Sequence, residues 1–139
     1  MQPSALEEAR EWLSRADEDL AAAERVLQTQ PPLLATAAYH AQQAGEKALK
    51  AFLAAHNVPF RPTHSLEELL SQCQAIDASF GQLGLAARTL TPYATRFRYP
   101  GGPLAPTSVE SEEALQLAAD RPPPVQYPPF PRGYLNRPV

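Results

Sequence analysis

Cysteine is nearly absent: Cys73 is the single one in 139 residues, which excludes an intrachain disulfide framework and a multi-cysteine metal site. Glycine is sparse at six residues. Gly101-Gly102 lies between prolines with no lysine-bearing helix start after it, so the chain has no phosphate-cradling loop of the P-loop kind. Long apolar runs are missing as well. None approaches the roughly 20 residues needed to span a bilayer, and the charged residues that follow Met1-Gln2-Pro3-Ser4 do not read as a signal peptide. A strong charge of either sign is also lacking. The formal net charge of -3 argues against coating nucleic acid non-specifically, which draws on many cations facing phosphates. A local basic site is still allowed. Together these shortages point to one domain in the reducing cytoplasm, with no membrane span.

No segment shows the two-residue alternation rich in Val, Ile, Thr and Tyr that a half-buried strand requires. Helical periodicity is there instead. Ser4 and Glu7 have capping-box spacing, and Leu6, Ala9, Leu13, Ala16, Leu20, Ala23 and Leu27 follow at alternating three- and four-residue steps, predicting a first helix that ends near Gln28. Trp12 and Val26 widen its apolar stripe. Pro31-Pro32 breaks the chain, and a second helix is expected from about Leu33 to His56. Asn57-Val58-Pro59 ends it.

Ser65 and Glu68 repeat the box and open a third helix to about Ile76, followed by a turn over Asp77 to Ser79. A fourth helix carrying Leu83, Ala86, Ala87, Leu90 and Ala94 is expected to run toward Arg96, with a bend at Pro92 and an end at Pro100-Gly101-Gly102-Pro103. Thr107 and Glu110 form a third box before a last helix that Pro122 to Pro124 stop. The expectation is an all-α, up-and-down bundle of four to five helices over residues 1–120, with antiparallel neighbours. Residues 121–139 read as a proline-rich, non-helical tail that favours polyproline II and whose Tyr127, Phe130 and Tyr134 would dock on this or a neighbouring subunit.

Two groups of residues carry candidate chemistry. In helix two His40, Gln43, Lys47 and Lys50 fall at steps of three, four and three and so share a face. The plain alternative is a solvated face with helix-stabilising pairs such as Glu46–Lys50, worth about 0.2–0.5 kcal/mol each. Of the 12 basic residues only Lys47 and Lys50 are lysine, and their persistence in an arginine-biased chain suggests that the compact ammonium groups or their stems matter. The second group is Arg96-Phe97-Arg98-Tyr99-Pro100. One arginine suits a helix C-terminus; a second, with a tyrosine, exceeds that need. Guanidinium forks suit phosphate, and Tyr99 or Phe97 can stack on a base.

The chain resembles the HEPN domain family, named for nucleotide binding in higher eukaryotes and prokaryotes. Ala16-Asp17-Glu18-Asp19-Leu20, the string from His40 to Ala51, Thr63-His64-Ser65-Leu66, and Arg98-Tyr99-Pro100 carry the resemblance, in that order, over about Ala9 to Ala119. It implies a helical bundle that usually forms a homodimer, often beside a small nucleotidyltransferase as partner; the residues themselves indicate no cofactor and no metal, since three scattered histidines and one cysteine lack close metal-ligand spacing. Many relatives are metal-independent ribonucleases, some toxin-like, that use an arginine followed after four to six residues by a histidine. That spacing is absent here. His40, His56 and His64 have no arginine at the required distance upstream, and after Arg98 the equivalent positions are Pro103, Leu104 and Ala105.

The reading that follows is a module binding a nucleotide, RNA or other phosphate-bearing ligand through Arg98, Tyr99, Arg96, Lys47, His40, Gln43 and Lys50, and acting with a nucleotidyltransferase. An endoribonuclease using Arg98 with His40 or His64 is the alternative, although His64, between Thr63 and Ser65, also suits a purely structural role at a helix entrance. A third reading makes the helix-two lysines and the arginines an intersubunit polar network with no ligand, favoured if they are fully paired with carboxylates such as Asp17, Asp19 or Glu46.

Overall fold

The computed structural model describes residues 4–97 and 105–119. Among these the fold is all-helical: α1 (Ala5–Leu27), α2 (Leu34–Ala55), α3 (Leu66–Ile76), a 3-10 turn (Ala78–Leu83), α4 (Gly84–Leu90), a second 3-10 turn (Thr91–Ala94) and α5 (Ser108–Ala119). The Pro100 to Pro103 stop and the tail lie outside the described residues.

The local signals form as their spacing requires. At α1 the Ser4 hydroxyl accepts from Glu7 N and the Glu7 carboxylate accepts from Ser4 N, at 3.1 and 3.2 Å. Thr107 and Glu110 do the same for α5 at 3.1 and 2.9 Å. At α3 only half of the box forms. Ser65 Oγ accepts from Glu68 N, while Ser65 N donates to Thr63 Oγ1 at 3.0 Å.

Helix four is shorter than its apolar pattern implies. Continuous α-helix covers only Gly84–Leu90, because Pro92 has no N–H for the next helical bond and Thr91 Oγ1 donates to the Ala87 carbonyl at 2.7 Å, tightening the exit into a 3-10 turn.

Helices α1 and α2 pack antiparallel. Leu33 N donates to Val26 O at one end, and Trp12 and Ala9 meet Ala54 and Ala55 at the other. The seam is close because it is built from small residues: Ala9, Ala16 and Ala23 on α1 and Ala37, Ala38, Ala41 and Ala44 on α2 are fully buried. On the other side of α2, Phe52, Leu53, Leu66, Leu69, Phe80 and Leu90 form the bulky core, where the rings of Phe52 and Phe80 lie 4.5 Å apart. Each such side chain contributes about 1.5–3 kcal/mol by leaving water. Helix α2 is thus the central element, and any polar group on it must find a partner.

Candidate functional site

The polar residues of α2 find partners on two buried carboxylates. Asp19, on the facing stretch of α1 and 8% exposed, takes both His40 and Lys47: His40 Nδ1 lies 2.7 Å from Oδ1 and Lys47 Nζ 2.5 Å from Oδ2. Glu46, 3% exposed, takes Lys50 Nζ at 3.0 Å, His64 Nδ1 at 2.9 Å and Gln42 Nε2 at 3.2 Å. Burial pushes the Glu46 carboxyl up, but the hydrogen bonds from His64 and Lys50, the Lys50 charge and the Gln42 amide outweigh it and hold its pKa below the ordinary value. Gln42 is fully buried, and its Nε2 also donates to the His64 carbonyl at 3.0 Å. The ammonium of Lys50 also lies against a pair of aromatic rings, with Nζ 5.2 Å from the Trp12 centroid and 5.4 Å from that of Phe60.

The candidate face therefore divides. His40 and Lys47 gather at Asp19, Lys50 joins Glu46, and Gln43 turns inward to donate to Gln42 Oε1 at 2.7 Å. Pairing of Lys47 with Asp19 and of Lys50 with Glu46 supports the polar-network reading for the two lysines, within one chain; Arg96 is exposed, and Arg98 lies outside the described residues. A face read from a single helix cannot display these partners, because they arrive from α1 and from the loop before α3. Asp17, two residues from Asp19, is exposed.

His40 and His64 each use Nδ1 on the carboxylate, so that Nε2 is not engaged by it. The His64 side chain is 68% exposed, whereas that of His40 is 30% exposed and forms a wall of a cleft of about 280 Å³. Ala35, Thr36, Tyr39 and Phe97 complete that cleft. The Tyr39 ring stands edge-on to His40, with centroids 5.3 Å apart. Arg96, next to Phe97, is exposed, with its guanidinium 5.2 Å from the Phe97 centroid. Arg98 and Tyr99 lie outside the described residues. Ala35 and Thr36 had no sequence signal as site residues; they belong to the cleft because α2 brings its first turns beside Phe97.

Among the described residues no group of three or more His, Cys, Asp or Glu is placed to hold a metal ion, and no helix is long and apolar enough to cross a membrane.

Comparison with known proteins agrees with this architecture. No curated protein matches the chain. The crystal structure of TT1696 from Thermus thermophilus is similar to it, with a TM-score of 0.69 and 32% sequence identity, covering 93% of this chain and 96% of that one. The model of the HEPN domain matches residues 9–120. An all-helical bundle centred on α2, matched over nearly its whole described length, places the chain in the HEPN domain family.

Proposed function

We propose that this HEPN protein binds a nucleotide and acts, as a homodimer in the cytoplasm, with a partner nucleotidyltransferase. The observation that carries the reading is the cleft of Ala35, Thr36, Tyr39, His40 and Phe97, which joins an oriented imidazole to aromatic walls and lies beside the exposed Arg96. Aromatic faces stack on bases and arginine forks suit phosphate. Lys47 and Lys50 act here by neutralising Asp19 and Glu46, so the phosphate falls to Arg96 and, two residues on, Arg98. Titration calorimetry with AMP, ATP and short RNA oligonucleotides tests the binding. Saturable binding, weakened in Arg98→Ala, is expected; no heat with any of them overturns the reading. Co-purification with a nucleotidyltransferase encoded beside this chain tests the partnership.

The two carboxylate–histidine pairs favour the ribonuclease as a second reading. A buried carboxylate behind Nδ1 orients an imidazole for proton transfer, and both His40 and His64 are held so. RNA cleavage by purified protein that vanishes in Arg98→Ala and in His40→Ala or His64→Ala would establish it.

A further inference from the structure

The two oxygens of Asp19 are divided between two partners, Oδ1 to His40 Nδ1 and Oδ2 to Lys47 Nζ. A carboxylate gripped by a lysine accepts hydrogen bonds and has none to give, so the proton in the 2.7 Å contact belongs to His40 Nδ1. With that proton on Nδ1, the lone pair of an uncharged imidazole is on Nε2, the ring nitrogen that Asp19 does not engage. Among the described residues, the others that line the cleft with His40, namely Ala35, Thr36, Tyr39 and Phe97, are neutral. At about 280 Å³ it falls just below the usual range of ligand pockets, which begins at about 300 Å³, and suits a planar base better than a whole nucleotide. A phosphate gains little beside an imidazole backed by a carboxylate, and more at the exposed Arg96 outside.

Resting on the nucleotide-binding reading, we propose that the base, not the phosphate, enters this cleft, that His40 Nε2 accepts a hydrogen bond from an exocyclic amino group, and that Asp19 is the positioning residue that fixes which nitrogen accepts. The cleft thereby favours bases that carry an exocyclic amino group over those that lack one. A base lacking the amine leaves Nε2 facing the ligand without a donor, a loss that is seldom recovered once water is displaced.

The test uses the full chain at pH 8, with calorimetric titration of AMP against purine riboside monophosphate, which differs only in lacking the amine, and of CMP against UMP. AMP and CMP are expected to bind about fivefold to tenfold tighter than their counterparts, as one hydrogen bond allows. In Asp19→Asn, whose amide can donate to Nδ1, that preference is lost. Nitrogen-15 spectra of the imidazoles in the unaltered chain read the tautomer directly, independently of how the variant folds. Protonation at Nδ1 of His40 is expected; protonation at Nε2 overturns the proposal. Equal affinity within each pair also overturns it while leaving nucleotide binding intact, whereas no binding by any of the four removes both.

Discussion

Glu46 is the residue on which most of the buried polar structure converges, since Lys50, His64 and Gln42 all donate to it. Its removal leaves His64 Nδ1 and Lys50 Nζ without this acceptor, leaves Gln42 Nε2 with only the His64 carbonyl, and leaves a lysine side chain only 12% exposed without a counter-charge. Breaking a buried pair from one side costs about 3–5 kcal/mol. Glu46→Ala is therefore expected to destabilise the fold by about 3 kcal/mol, the lower end, because the Trp12 and Phe60 rings still hold the ammonium of Lys50. Urea unfolding measures this, and a cost below about 1 kcal/mol would mean that the cluster relaxes into water. Gly45 lies one position away, against Leu66 and Leu90. A Cβ added there would sit 3.4 Å from Leu66 Cδ1 and 3.6 Å from Leu90 Cδ1, ordinary contact distances in a mid-helix site where alanine is favoured by up to about 1 kcal/mol. Gly45→Ala should raise the urea midpoint, and a lowered one would show that α3 and α4 cannot give way.

At the scale of the element, Thr91 links two helices that sequence patterns treat separately. Its hydroxyl accepts from Leu66 N, a free donor in the first turn of α3, at 3.0 Å and donates to Ala87 O, near the end of α4, at 2.7 Å. Thr91→Val keeps the shape and removes both bonds, leaving the buried Leu66 amide unsatisfied. A loss of about 1–3 kcal/mol is expected, with faster hydrogen exchange confined to the start of α3; unchanged exchange there would rule out the link. Such a bridge shows why the elements were legible unevenly. Ser4 with Glu7 and Thr107 with Glu110 were readable because both partners of each bond lie three residues apart. The shortened α4 was not readable in this way. Its apolar pattern supports a longer helix, and the exit at Leu90 depends on Pro92 together with a threonine held by another helix. The site follows the same rule. His40 was legible as a member of a polar stripe, but its tie to Asp19 depends on the register of α1 against α2, and its cleft on where Phe97 returns.

For the whole molecule, the buried groups set a pH window of stability with two different edges. The Glu46 carboxyl titrates lower in the folded chain than its ordinary 4.5. The stability it contributes is therefore complete above that value and is lost as the pH falls through its folded pKa. Asp77 and Glu110 are displaced in the same direction, chiefly by hydrogen bonds from Ser79 and from the Thr107 backbone. At the other edge, burial pushes the Cys73 thiol from 9.0 up to about 12 and raises Tyr93 as well. Above 9 the unfolded chain releases the thiol proton while the folded chain keeps it, so unfolding gains ground up to about pH 12. Across those roughly three pH units, at about 1.4 kcal/mol each, the thiol alone withdraws up to about 4 kcal/mol. Urea unfolding followed from about pH 3 to 11 should give a plateau between about pH 5 and 8 with a fall on both sides. Glu46→Gln should flatten the acid side and leave the alkaline one; Cys73→Ala should do the reverse, after a constant loss for the vacated space. An alkaline limb unchanged in Cys73→Ala would place that edge elsewhere and free Cys73 from any part in it.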